Sequence, residues 1–147
     1  MAKFKMELPE QVLKDFERIY GDTDKIFGGM TKAGAEVVYT RVKANVPAAF
    51  RDSDIMKTMR LSKQYKTPTD DGINTQVMFD GYFYTKPDKY GKRYLTPAPL
   101  VCNMFEYGSS KHKYPKHPFF RKSFNKAAIE KAMLEAQKSL SGGLLDD

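Results

Sequence analysis

The chain has 147 residues, 41% of them hydrophobic and 29% charged, with a formal net charge of +7. That length predicts a single domain able to bury its own core without disulfides, and the one cysteine, Cys102, can form none within the chain, which fits a reducing compartment. Met1 to Met6 lack the apolar run of a secretory leader, and no segment reaches the roughly 20 apolar residues of a membrane span, so the expectation is a protein made in the cytoplasm, without a membrane partner. The positive charge favours acidic partners, either nucleic acid or an acidic face on another protein.

In chain order, Pro9 opens a first helix carrying Val12, Leu13, Phe16, Ile19 and Tyr20 at helical spacing, with Gly21 as its stop. A longer helix follows from Asp22, an N-cap residue, with Ile26, Phe27, Met30, Ala33, Val37, Val38 and Val42 in its apolar stripe. Gly28, Gly29 and Gly34 each oppose that helix by about 1 kcal/mol, whereas burying one large apolar side chain returns about 1.5–3 kcal/mol. The helix therefore forms, with a frayed or bent start at Gly28-Gly29 and a close approach at Gly34. It ends at Pro47, because the residue before a proline avoids helical geometry.

A polar connector with a short helical turn between Asp52 and Met59 leads to a weak strand, in which Leu61, Lys63 and Tyr65 alternate with Ser62 and Gln64. Pro68-Thr69-Asp70-Asp71-Gly72 supplies a turn. Ile73 to Tyr84 then reads as a stronger strand with Ile73, Thr75, Val77, Phe79 and Phe83 on one face and Gly81 as a bulge, completing an antiparallel hairpin. Residues 82–94 read as a Tyr- and Lys-rich loop, punctuated by Pro87-Asp88 and Tyr90-Gly91. Leu100, Val101, Met104 and Phe105 favour a short helix that Gly108 ends. The last helix is expected from Pro118 to about Leu140, with Phe120, Phe124 and Ala128 in one stripe and Ile129, Met133, Ala136 and Leu140 in a second, rotated one; Phe119, Phe120 and Phe124 would anchor it. Ser141 to Asp147 reads as a loose tail. The domain thus divides into an N-terminal helix (1–21), a core (22–140) and a tail (141–147). The expected class is α+β: a small antiparallel β-sheet packed by a long central helix and a C-terminal helix.

Catalytic and metal chemistry find little support. Cys102 sits in an apolar helical pattern, where a cysteine acts as a small hydrophobe, and neither His112 nor His117 supplies a nucleophile signature with it. The same histidines lie among Lys111, Lys113 and Lys116, which oppose a divalent cation. The carboxylates Asp52, Asp54, Asp70 and Asp71 suit turns and helix starts better than acid–base work. No phosphate-binding glycine loop is present. The reading is therefore no enzyme, no catalytic residue, no cofactor and no metal. Cations interleaved with aromatics in 82–94 and 111–122 are the pattern that tracks phosphates and stacks on bases, although no nucleic-acid-binding motif accompanies them.

The candidate partner-contact residues are Glu106, Tyr107, Lys111, Lys113, Lys116, Arg121 and Lys122, together with Lys89, Lys92 and Arg93. Glu106 ends an apolar segment beside a basic loop, so it pairs with Arg121 or a lysine, either within the chain or across a subunit boundary.

The order of these features matters. A long helix rich in small residues ends at Pro47; a connector with Ser53 and Leu61 leads to a hairpin; Glu106-Tyr107-Gly108-Ser109 closes an apolar segment; Pro118-Phe119-Phe120-Arg121 follows a loop. Over roughly residues 28–139 this resembles the bacteriophage minor virion protein family named for gene product ten of a lambdoid phage, a family of neck and tail-completion components. The connector departs from that pattern, because Pro47-Ala48-Ala49-Phe50-Arg51-Asp52-Ser53 lacks the Thr-Gly pair that members often carry. The resemblance implies a non-enzymatic structural virion protein at the head–tail junction of a long-tailed phage or prophage. It would form a homo-oligomeric ring with other junction or tail proteins, and a monomer before assembly is compatible with that role. Sequence-independent DNA contact is compatible too. A tail-terminator protein and a basic DNA-binding protein of phage origin are the alternatives.

Overall fold

The computed structural model describes residues 9–69 and 72–142. The expected stripe of the first helix (Val12, Leu13, Phe16, Ile19), the acidic pair Asp70-Asp71 and residues 143–147 of the expected 141–147 tail lie outside the described residues and side chains. Ser141, expected in that tail, is instead the buried last residue of the C-terminal helix, with Gly142 as its cap. The architecture is α+β, as expected. Helix α1 (Glu10–Gly21) begins directly after Pro9. Helix α2 (Thr23–Asn45) runs unbroken through Gly28-Gly29, without the expected fray. The glycines serve close packing instead: a Cβ at Gly29 would stand 2.1 Å from Leu140 Cδ1, and one at Gly34 would stand 3.2 Å from both Ile129 Cγ2 and Met133 Cγ. Side chains of the C-terminal helix, rather than another backbone, occupy the space that Gly34 leaves.

Val46 and Pro47 turn the chain extended, as the proline requires. Helix α3 (Ala48–Arg51) and a 3-10 turn (Asp54–Thr58) follow, the latter capped by Ser53 Oγ, which accepts the Ile55 N–H at 3.3 Å.

Strands β1 (Met59–Leu61), β2 (Tyr65–Lys66), β3 (Ile73–Asn74) and β4 (Val77–Phe79) form the expected antiparallel hairpin, but in two ladders: β1 with β4, and β2 with β3. The first ladder pairs Leu61 with Val77 and continues through Ser62 N–H donating to Gln76 O at 2.8 Å. The second starts at Tyr65 opposite Asn74, so Lys63 and Gln64 face Thr75 alone. That extra residue is a bulge.

The expected strand Ile73–Tyr84 breaks at Asp80-Gly81, where Gly81 takes φ +83°. Its second half is β5 (Tyr82–Tyr84), which leaves β4 and pairs antiparallel with β6 (Leu95–Pro97), Phe83 opposite Thr96. Residues 82–94 are therefore the first arm and tip of a second hairpin rather than a loop, and the strands make three two-stranded ladders among the described residues rather than one sheet.

Helix α4 (Ala98–Tyr107) stops at Gly108, as its spacing predicts. Helix α5 (Lys126–Ser141) starts eight residues later than Pro118. Asn125 caps it, its Oδ1 accepting the Ala128 N–H at 3.0 Å. The two rotated stripes are thereby explained: Phe120 and Phe124 precede the helix, and Ile129, Met133 and Leu140 lie on it. Helices α2 and α5 pack face to face along Gly29 and Gly34.

The core closes around Phe50, whose ring meets Phe79 edge-on at 6.0 Å, Phe105 at 4.8 Å and Phe119 at 5.4 Å. One aromatic cluster thus ties α3, β4, α4 and the segment before α5 together, which fixes the frame on which Glu106 and Arg121 meet.

Candidate functional site

Glu106 is on the last turn of α4 and only 4% exposed. Its Oε2 accepts the N–H groups of Phe119 and Phe120, both at 2.9 Å. Its Oε1 accepts the Arg121 N–H at 3.0 Å and Arg121 Nε–H at 2.8 Å. Arg121 Nη2 also donates to the Glu106 carbonyl at 3.4 Å, and the guanidinium lies 5.0 Å over the Tyr107 ring. Burial pushes the Glu106 carboxyl up, but the N–H groups of Phe120 and Arg121, the Arg121 side chain and the Phe119 N–H outweigh it and hold the group below its ordinary value.

This clasp joins the Glu-Tyr-Gly-Ser and Pro-Phe-Phe-Arg elements within one chain. Both carboxylate oxygens are occupied, so Glu106 acts as the internal lock of the loop between them. Helix α5 starts late because the chain turns extended at Phe124 and Asn125 after a 3-10 turn (Arg121–Ser123); Glu106 satisfies the N–H groups ahead of that break. Phe119 is buried as an anchor, whereas Phe124 is 58% exposed and makes only a tilted ring contact with Phe120, at 6.3 Å, among the described aromatic contacts. Ser123 completes the turn, its Oγ donating to Phe119 O at 2.6 Å and accepting from Asn45 Nδ2 at 3.2 Å.

Between the two elements the chain folds back on itself. Gly108 takes φ +73° and ψ −178°, a region essentially open to glycine only. Ser109 and Tyr114 exchange both N–H···O bonds, at 3.0 and 2.8 Å, closing a tight turn that exposes Lys111, His112 and Lys113. His117 donates its N–H to Phe105 O at 2.7 Å, and its ring packs against Phe105 and Tyr114. Beside the turn runs a groove of about 680 Å³ between Pro47–Ala49 and residues 116–119, floored by Phe105 and edged by Lys116, His117 and Lys122. The structure thus brings Lys116 and Lys122 to one groove, with Lys111 and Lys113 at the neighbouring turn.

Lys89, Lys92 and Arg93 form a second cluster, on the β5–β6 hairpin. Its tip is built on Asp88, whose Oδ1 accepts the N–H groups of Tyr90 at 2.8 Å and Lys92 at 2.9 Å, while Tyr94 Oη donates to Oδ2 at 3.1 Å. The Lys92 and Tyr90 N–H groups hold this carboxyl below its ordinary value, with a smaller contribution from Tyr94 against burial. Arg93 is a strut: its Nη2 donates to Asp54 Oδ2 at 2.7 Å and its Nε to Thr85 O at 2.9 Å. Hydrogen bonds from Lys57 and then Arg93 lower the Asp54 pKa. Sequence reading missed Asp54 and Asp88 as the groups that shape this hairpin. It also missed the exposed face carrying Tyr82, Tyr84 and Leu95, which the alternation Tyr82-Phe83-Tyr84, with Phe83 buried, signals.

Burial, and then the Glu106 charge, pushes the Cys102 thiol up to about 12, so it stays protonated at neutral pH and is no ready nucleophile. No group of three potential metal ligands occurs among the described residues. No helix among the described residues is long and apolar enough to cross a membrane. Comparison with family models, curated proteins and solved structures gave no match.

Proposed function

We propose that this chain is a structural virion protein of a long-tailed bacteriophage or prophage, acting at the head–tail junction as a ring-forming connector in neck or tail completion. The observation that carries this reading is the Glu106–Arg121 clasp. The two short elements on which the family resemblance rests form one interlocked unit, which holds a basic loop beside a groove lined by Lys116, His117 and Lys122.

Assembly is the mechanism. The helices and the Phe50 cluster hold the frame, and the loop and hairpin reach neighbours. Exposed Tyr82, Tyr84, Leu95, Leu100 and Tyr107 supply the aromatic and aliphatic contact area that interfaces use. In a ring each subunit offers one patch to a different patch on the next, a heterologous contact that closes by rotation. Copies carrying +7 each repel one another, so the basic groove faces an acidic segment of a junction partner.

The test is a phage lacking the gene for this chain. The expected result is filled heads and separate tails that join when purified protein is added to the extract. Normal joined particles without the protein would rule the role out.

A further inference from the structure

The junction reading uses the exposed Tyr82, Tyr84 and Leu95 face of the β5–β6 hairpin but gives no role to the cations at its end, Lys86 to Arg93. Four cations (Lys86, Lys89, Lys92, Arg93) stand on it against one carboxylate, Asp88, whose oxygens are taken by the tip's own donors. Lys86, Lys89 and Lys92 have no ion pair among the described residues. Tyr82, Tyr84, Tyr90 and Tyr94 are each at least half exposed. Lys89 and Lys92 lie against Tyr90 and Tyr94, with the ammonium 4.9 and 5.8 Å from the ring centroids, so the charges are held along the ribbon. The tip is preorganised by Asp88 and Gly91, the latter at φ +75°, and the base is strutted by Arg93 on Asp54.

We propose that this hairpin is a DNA-contacting arm that engages the phosphate backbone of duplex DNA without reading its sequence. The chemistry selects that partner over a protein. Lys and Tyr side chains are regular donors to phosphate oxygens, and three lysines along one ribbon, without an ion pair among the described residues, suit a continuous line of phosphates. A two-stranded ribbon has the width to lie in or along the major groove. Arginine is the commonest reader of guanine, and Arg93, the only arginine on the arm, is committed to Asp54 and Thr85. What remains free is phosphate-directed. The cations at the end of the arm belong to a different element from the Lys116–Lys122 groove that faces the junction partner, so the two contacts can be removed separately.

The experiment measures fluorescence anisotropy of the full chain with labelled 30-base-pair duplexes of two unrelated sequences, from 50 to 200 mM salt. Each phosphate contact contributes about 0.9 to the slope of log K against log salt. The triple variant Lys86→Gln, Lys89→Gln, Lys92→Gln is expected to lower that slope by about 2.7, so wild type loses about 40-fold more affinity than the variant across this range. The two duplexes should bind within twofold of each other. A parallel variant, Lys111→Gln with Lys113→Gln, should retain most of the wild-type slope. No duplex binding by wild type, an unchanged slope in the hairpin variant, loss only in the loop variant, or a tenfold preference between the two sequences would each overturn the assignment. Phe83 and Arg93 are untouched, and circular dichroism confirms the fold of each variant.

Discussion

Glu106 and Arg121, fifteen residues apart in sequence, meet in a two-sided contact in which carboxylate, guanidinium and three backbone N–H groups are satisfied together. A buried carboxylate with that many donors is a structural lock, and its removal leaves N–H groups of a tight turn without partners. Glu106→Ala leaves three N–H groups without their acceptor while the half-exposed Arg121 returns to water, and is expected to destabilise the fold by about 3 kcal/mol, at about 1–3 kcal/mol for each unsatisfied buried donor. Glu106→Gln keeps the acceptor oxygen but loses the charge and should cost less, about 1–3 kcal/mol. Urea titration followed by circular dichroism measures both, and equal midpoints for wild type and Glu106→Ala would refute the lock.

The same carboxyl sets a pH dependence. Its folded value lies below the ordinary 4.5, so the unfolded chain binds a proton that the folded chain resists. Its contribution is therefore present in full above the unfolded value and is lost as pH falls through the folded one. Wild type should lose stability on acidification from neutral pH, with a shallower loss in Glu106→Gln. The exposed Asp54 and Asp88, also lowered, account for part of the slope that remains. Urea midpoints at a series of pH values from 7 downward provide the check.

Gly108 should not tolerate a side chain. Its φ and ψ are essentially glycine-only, and a Cβ would stand 2.8 Å from Tyr114 O, a backbone atom that cannot move aside alone. Gly108→Ala is expected to cost about 1–3 kcal/mol and to loosen the Ser109–Tyr114 turn, read as faster amide exchange at Tyr114.

Two glycines of α2 should respond in opposite directions. At Gly28 the atom in the way is the end of the exposed Gln64 side chain, which can swing out, so Gly28→Ala gains helix propensity of about 0.5–1 kcal/mol. At Gly34 the neighbours are Ile129 and Met133 of α5, packed across the helix pair, and Gly34→Val should cost about 1–3 kcal/mol by overpacking. Thermal midpoints of the two variants decide, and a loss at Gly28→Ala with a gain at Gly34→Val would contradict this packing.

These residues also mark what the sequence makes legible. The α+β class, the stop of α2 before Pro47, the α4 spacing and its end at Gly108 all follow from local signals, because proline and positive-φ glycine act on the chain where they stand. The first hairpin is legible from its turn residues. The β5–β6 pairing is not, because Gly81 could be read as a bulge within a continuing strand, and only the partner Leu95–Pro97, beyond a tyrosine-rich turn, makes it a break. The start of α5 is not legible in the apolar spacing because the extended backbone at Phe124 and Asn125 interrupts it, and Asn125 caps the helix only after that break. Of the candidate site, the Glu106–Arg121 pair was legible as a pair. Its confinement to one chain, and the role of Arg93 as a strut, required the fold.

Charge reversal at Lys111, Lys113, Lys116 and Lys122 should weaken binding to the junction partner and flatten its salt dependence, while leaving the fold intact because these side chains are exposed. Binding unchanged by reversal would remove the basic loop and groove from the interface.

The central claim is the place of this chain in the particle. Immunogold labelling of virions from the phage or induced prophage that encodes it tests that directly. The account predicts gold at the junction of head and tail; label at the tail tip, or particles without label, would contradict it.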